Sequence, residues 1–365
     1  MKRRDLLLGA LVATGSAGLV PSPGLAQTPR ETAVADGPLV VNGLDTSELS
    51  RDYVAMQRSV GVDCWHKSMG GLRTYADALN FVDANADIVQ VARSVAEIRT
   101  AKAQGKLALM FGWQGSEPLS GPREGANDWW SATPHTELRA YYELGLRVAG
   151  IAYQIANAFG GGGLDPTVGL TVAGRRLVEE IHKLRIVLDV GGHTGDQASL
   201  DALAMSSGVP IICSHAGARR FANSSRNLSD AVIDGIARTG GVIGIPAIND
   251  FVVRGKEMAN VEPSPLGGIE DFLKHADYLK SRIGADHVSW GPDFTYGKPN
   301  NRDFALFGAD VMDHGPRRFL RGFEDVTKLV PTVTKGLKDH GWTEAEVRGF
   351  MGGNWIRVYG QVWGA

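Results

Sequence analysis

Cysteine is nearly absent from this 365-residue chain, occurring only as Cys64 and Cys213. A disulfide-stapled scaffold and a cysteine-rich zinc module are therefore excluded. With Cys213 inside a buried-looking apolar run, the two are expected as separate thiols. An excess of either charge is also missing, since 38 basic residues stand against 40 acidic ones, and nothing marks nucleic acid as a partner. Beyond residue 26 no stretch is apolar and long enough to cross a bilayer. Two common hydrolase signatures, a helical His-Glu-x-x-His and a Gly-x-Ser-x-Gly elbow, do not occur. Linkers, charge blocks and internal repeats are lacking as well, which argues for a single folded domain over 27–365.

What the N-terminus does have is a paired-arginine start, Met1-Lys2-Arg3-Arg4, joined to a modest apolar stretch reaching Val20 and ending near Gly24-Leu25-Ala26. This predicts a signal peptide of twin-arginine type over 1–26, cleaved after Ala26, with an uncleaved anchor as the alternative. The export machinery for folded proteins would be a partner and the periplasm or exterior the destination. Such export accommodates a cofactor inserted before transport, which favours a metalloprotein.

Apolar runs then alternate with amphipathic helical segments, the pattern of repeated βα units. Strands are predicted at 39–42, 88–91, 107–111, 146–152, 186–190, 209–213, 242–246 and 287–290, with helices at 95–104, 172–183, 229–238 and 269–283 between them. Eight strands are what a closed (β/α)8 barrel needs. Two histidines follow strand-like runs directly, in Leu188-Asp189-Val190-Gly191-Gly192-His193 and Ile211-Ile212-Cys213-Ser214-His215. Strand ends are where such barrels keep their chemistry, and neutral imidazoles there can converge on one metal ion. Asp189 is a candidate carboxylate for orienting a ligand histidine. The run Gly160-Gly161-Gly162-Gly163 reads as a loop over the site, mobile or a plain turn.

Ordered segments along 27–365 resemble the membrane dipeptidases, zinc-dependent barrel hydrolases of the amidohydrolase type. They include Gly169-Leu170-Thr171 with Gly174-Arg175, Leu188 to His193, Ser214-His215-Ala216, Ser225-Arg226-Asn227-Leu228-Ser229-Asp230, Gly291-Pro292-Asp293-Phe294 and Gly352-Gly353-Asn354-Trp355. The resemblance implies two zinc ions, one held by a His-x-Asp pair on the first strand and the other by two later histidines, with a bridging glutamate. It also implies a homodimer. His193 and His215 match the later histidines and Asp45 matches the first-strand aspartate, but Gly43 stands where that strand's histidine should be. The family's Gly-x-Glu-Gly is here Gly112-Trp113-Gln114-Gly115, so the bridging carboxylate has become an amide. Tyr153 replaces a substrate-contacting histidine.

Without the bridging charge, two close dications are hard to hold, so one divalent metal is expected rather than two. His193 and His215 would ligate it, with Asp45 or Asp293, and Gln114, as oxygen donors. Zinc is the family's metal, although the ligand types also suit iron, nickel and copper. Asp293 would manage the proton of a metal-activated water, Arg226 would hold a substrate carboxylate, and Tyr153 would donate to the reacting carbonyl or fill space. Cys64 and His66 are candidate replacement ligands, with burial of Cys64 and exposure of His66 the ordinary expectation. The reading is an exported metal-dependent hydrolase cleaving a dipeptide or similar small amide. Its alternative is a dipeptidase-fold protein that binds or matures a peptide-like metabolite without hydrolysing it.

Overall fold

Short apolar strands, each followed by helix or loop, dominate the computed structural model, which describes residues 37–119, 136–253, 265–298 and 318–364. The twin-arginine segment at 1–26 lies outside these residues. The strands are β1 (Val41–Asp45), β2 (Cys64–Ser68), β3 (Val89–Val91), β4 (Leu107–Trp113), β5 (Leu146–Gly150), β6 (Val187–Asp189), β7 (Ile211–Ile212), β8 (Ile243–Ile245) and β9 (Val288–Trp290). Seven of them pair in parallel in the order β1-β2-β4-β5-β6-β7, with β3 set beside β4, and β8 pairs with β9. A parallel bridge between Cys213 and Ile243 joins β7 to β8. The chain leaving β9 returns to β1 through Asp293 N–H to Leu44 O and Thr46 N–H to Phe294 O, both 3.0 Å. Eight staves thus surround one axis, the (β/α)8 architecture.

The count of eight in the sequence matched, but its membership did not. Segment 88–91 forms β3, an extra strand against β4 and not a stave. The stave in its place is β2, whose Cys-Trp-His-Lys-Ser sequence carries no apolar run. Cys64 to Lys67 are buried nonetheless, because a barrel strand faces side chains on both sides. Val41, Cys64, Ala108, Met110, Val148, Val187, Ile212 and Val242 pack with Trp355 and Tyr359 into one apolar cluster. Both cysteines are free and buried.

The four helices read from periodicity are present, and others join them. Among them are α1 (Arg51–Ser59), α2 (Val95–Ala103), α3 (Val172–Lys183), α4 (Asp230–Arg238), α5 (Ile269–Ile283) and α6 (Asn354–Trp363). In α3 the Thr171 hydroxyl accepts the Gly174 N–H at 3.0 Å, a cap worth about 1 kcal/mol. Leu177, Val178 and Ile181 form its buried face. α6 brings Trp355 against β1. A Cβ on Gly43 would lie 2.5 Å from the Trp290 carbonyl and 2.6 Å from the Trp355 ring, so position 43 has no room for a side chain.

The four-glycine segment is not a flap. Gly160 to Gly163 are all buried. Gly163 N–H donates to the His193 carbonyl at 2.7 Å, and Gly195 N–H donates to Gly161 O at 2.9 Å. A Cβ on Gly162 would fall 2.3 Å from the Gln154 backbone. Glycine is used here for close approach of backbones that buttress the His193 turn.

Candidate active site

The ends of β6 and β7 are drawn together by one carboxylate. Asp189, the last residue of β6, is fully buried, and its Oδ1 accepts the N–H of Gly191 at 2.8 Å and of Ser214 at 3.0 Å. The two turns touch so closely that a Cβ on Gly191 would sit 2.3 Å from Cys213 Sγ. Gly192 adopts φ +65°, a left-handed conformation that swings the next residue inward. The result is a pair of buried imidazoles, His193 and His215, with ring centroids 5.2 Å apart and planes tilted by 56°. Burial pushes the Asp189 carboxyl up to about 6, against hydrogen bonds from Ser214 and Gly191 and the charge of Arg226.

Around His193 the neighbours form a continuous polar chain. The Tyr153 ring stacks on it at 3.8 Å and 22°. Gln114 Oε1 lies 2.7 Å from His193 Nε2, while Gln114 Nε2 donates to Ser68 Oγ at 2.8 Å. Arg226 places Nη1 2.7 Å from His193 Nε2 and also against Nδ1. The same Nη1 reaches Gln154 Oε1 at 3.4 Å, and the guanidinium lies 4.9 Å over the Phe251 ring. A guanidinium can only donate, and the amide oxygen can only accept. His193 is thus flanked by an acceptor, Gln114 Oε1, and by a donor, the Arg226 guanidinium.

Asp293 lies just beyond β9, buried, with φ +56°. A non-glycine residue held in that region is strained, and strain of this kind gathers at functional sites. Asp45 is placed otherwise than the sequence suggested. A register shift in β1 after Asn42 turns its carboxylate to α1. There Oδ1 accepts Ser47 N–H at 2.8 Å and Oδ2 accepts Tyr53 Oη at 2.5 Å, Asn42 Nδ2 at 2.9 Å and Gln57 Nε2 at 3.4 Å. Burial raises its pKa above the ordinary carboxylate value while these bonds oppose the rise. Asp45 is therefore consumed in a local network rather than offered to the imidazoles. Among the described residues no three His, Cys, Asp or Glu side chains gather as a metal-holding group.

His66 departs from expectation in the other direction. It is fully buried, and its Nδ1 bonds the Gly43 carbonyl at 2.6 Å. Its Nε2 has no hydrogen-bond partner among the described residues and fits only because Gly112 lacks a side chain, since a Cβ there would lie 2.0 Å away. Burial lowers its pKa to about 4, the Gly43 bond opposing, so it stays neutral. His275 is structural, accepting Ala218 N–H at 2.9 Å and bonding the Val252 carbonyl at 2.8 Å.

The structure thus brings His193, His215, Gln114, Tyr153 and Arg226 together, while Asp45 is hydrogen bonded to Asn42, Ser47, Tyr53 and Gln57. Ser214, Gln154 and Ser68 belong to the same network and were not singled out from the sequence. Their only signal was adjacency, Ser214 to His215 and Gln154 to Tyr153.

Residues 66–364 match the model of the membrane dipeptidase family, peptidase family M19. The dipeptidase aclJ of Aspergillus oryzae is 26% identical over 281 residues, 76% of this chain and 57% of that protein. The chain therefore spans little more than half the length of that relative. In fold it is similar to an amidohydrolase of Pseudomonas aeruginosa, at 24% identity and TM-score 0.79 over 92% of this chain and 99% of the other. It is also similar to a metallopeptidase of Rhodobacter sphaeroides liganded with a phosphinate mimic of the dipeptide L-Ala-D-Ala. There the identity is 21% and the TM-score 0.69, over 90% of this chain and all of the other.

Proposed function

Because the chain belongs to the membrane dipeptidase family, we propose that it is a metal-dependent hydrolase of a dipeptide or similar small amide, working with one divalent ion. The observation that carries this reading is the buried imidazole pair beside a guanidinium, His193 and His215 with Arg226. Zinc–nitrogen bonds of about 2.0–2.1 Å put two imidazoles that share a tetrahedral ion about 5 Å apart between ring centres. The 5.2 Å found here matches that spacing, and a ring nitrogen of His193 would have to be released by Gln114 or Arg226 to join such an ion. The residues do not fit the family's pair, because Gly43 has no room for a ligand, Asp45 is committed to α1, and Gln114 brings no charge.

When bound, a divalent ion supplies Lewis acidity toward the scissile carbonyl. The chain's own groups supply the rest. Arg226, already poised over Phe251, can leave His193 for the carboxylate end of the substrate, where its planar donors form paired bonds. Tyr153, half-buried on the face of His193, can donate its hydroxyl to the developing oxyanion. Asp293 takes the proton from the attacking water and returns it to the leaving amine. The paired arginines at Arg3-Arg4 support export of the folded protein to the periplasm or exterior.

A second reading, peptide-like ligand binding without hydrolysis, is favoured by one specific observation. Both nitrogens of His193 are engaged, by Gln114 and Arg226. A screen of dipeptides with purified protein, before and after chelation and zinc refilling, separates the two. Hydrolysis that disappears with chelation and returns with zinc supports the first. Ligand-dependent thermal stabilisation with no turnover in either state replaces it with the second.

A further inference from the structure

The loop that carries Arg226 is closed at its base, where Leu228 N–H donates to Gly217 O at 3.0 Å and Arg219 N–H to Leu228 O at 2.9 Å. Next to the arginine, Asn227 is 1% exposed. Its Oδ1 accepts the Gly217 N–H at 2.8 Å, while Nδ2 donates to Ala222 O at 2.7 Å and to Phe251 O at 2.8 Å. A primary amide has two donors and an acceptor oxygen, and here each meets a backbone group. The bonds to Gly217 and Ala222 stay within the loop and serve its shape. The bond to Phe251 leaves it. Phe251 belongs to the short helix Asn249–Val252, and its ring is the one over which the Arg226 guanidinium lies at 4.9 Å. From the other side, Arg219 forks onto Asp196, in the segment that follows His193, at 2.7 and 2.8 Å and donates to the Asn227 carbonyl at 2.6 Å.

We propose that Asn227 is a positioning residue for carboxylate recognition. By tying the Arg226 loop to the Phe251 backbone it holds the guanidinium over the aromatic ring, so the place for a substrate's C-terminal carboxylate is formed before the substrate arrives. An arginine side chain has many rotamers, and ordering it at the moment of binding weakens affinity. Anchoring the arm and its aromatic support to one amide removes much of that loss. The position demands this side chain. Aspartate, of the same shape, would serve the Gly217 N–H but set a charge against two carbonyl oxygens, and leucine would leave three buried backbone groups without their partner. The inference rests on the reading of Arg226 as the holder of the carboxylate, and its readouts do not depend on turnover.

The test combines 1H–15N NMR of the arginine-labelled, metal-free full chain with calorimetric titration of L-alanyl-L-alanine and of its C-terminal amide. In wild type the Arg226 Nε–H signal, assigned by its absence in Arg226→Lys, is expected to be displaced upfield by the Phe251 ring, and the free acid to bind at least about 10-fold more tightly than the amide. Asn227→Asp is expected to lose the displacement and to bring the acid-over-amide ratio within about threefold. That ratio does not depend on the fraction of protein folded, so a merely structural role would leave it unmoved. Phe251→Leu keeps the backbone carbonyl that Asn227 uses and removes the ring alone. It is expected to abolish the displacement and lower the ratio about threefold or more, and it tests the arrangement even if Asn227→Asp does not fold. A folded Asn227→Asp that keeps the displacement and a ratio within about twofold of wild type overturns the proposal, as does a Phe251→Leu that changes neither. Hydrolysis of the dipeptide by a zinc-loaded wild type with no preference for the free acid would sink this inference and leave the hydrolase reading standing. An acid preference that depends on Asn227 in a protein that never hydrolyses a dipeptide would do the reverse.

Discussion

Asp189→Asn is expected to make the protein more stable above neutral pH relative to wild type than it does in acid. The carboxyl titrates at about 6 in the folded chain against 3.8 ordinarily, with burial as the first cause. A folded-state value above the unfolded one means that the unfolded chain releases its proton first. Wild-type stability from this group is therefore full below about 3.8 and is lost as pH climbs through about 6. At 1.36 kcal/mol per unit, a shift of about two units amounts to about 3 kcal/mol in all. About half of that is already lost by pH 5, so about 1–2 kcal/mol remains to change between pH 5 and pH 8. Asparagine keeps an oxygen acceptor for the Gly191 and Ser214 amides. Its N–H2 group enters the place of Oδ2, which has no hydrogen-bond partner, at a cost of about 1–3 kcal/mol that is the same at both pH values and cancels in the comparison. Urea unfolding of metal-free wild type and variant at pH 5 and pH 8 gives the four free energies. If the variant's advantage fails to grow by about 1 kcal/mol or more toward pH 8, the argument that Asp189 is a buried charge held at a cost is wrong.

Arg226→Lys is expected to raise KM for a dipeptide at least about 10-fold while changing kcat less, because an ammonium cannot reproduce the paired bonds of a guanidinium; steady-state kinetics with free and amidated C-termini would show the loss confined to the free acid. Gln114→Glu is expected to tighten Zn2+ binding by about 10-fold or more by adding a charged oxygen beside His193, with calorimetric stoichiometry remaining at one because Gly43 and Asp45 are unchanged. Gly43→Ala is expected to lower stability by about 1–3 kcal/mol through overpacking against Trp355 and Trp290, read as a drop in thermal midpoint. Chelation is expected to abolish hydrolysis and lower the midpoint, and added zinc to raise it with concentration as mass action requires.

Much of the barrel was legible because its strands and helices obey different periods. Segments 172–183 and 269–283 were placed to the residue as α3 and α5. β2 was not legible, since Trp65, His66 and Lys67 mix polar and aromatic residues in a strand whose burial comes only from barrel closure. The site was legible where a motif places backbone and side chain together, as for His193 and His215. It was not legible at Asp45, whose carboxylate engages Tyr53, Gln57 and Asn42 beside a register shift in β1 that no residue pattern announces. The glycines at 160–163 looked like a free loop because composition reports conformational freedom and not the contacts that use it up. His66 looked exposed because a lone histidine between polar neighbours carries no sign that Gly112 has left it a berth.

On the proposed matching to the family, the departures fall on one half of the site, and this is the ground on which we propose a single ion. On that matching, Gly43 and Gln114 take the places of the family's imidazole and shared carboxylate, and Asp45 bonds Tyr53, so the donors proposed for a first-strand ion are replaced or committed. The Trp355 ring and Trp290 carbonyl occupy the space of the missing imidazole, which makes the loss structural as well as chemical. Arg226 then lies against His193 with no carboxylate at position 114, and a second dication brought there would meet the charge of the guanidinium. The other half keeps its supports: the Asp189 staple, the Ser214 hydroxyl on His215 and the glycine segment under His193. A site drifting toward loss of all chemistry would not be expected to retain a buried carboxylate that costs stability in order to hold two imidazoles in register. A metal count of zero on protein refolded with excess zinc, with Asp189→Ala as stable as wild type, would remove that argument at its base.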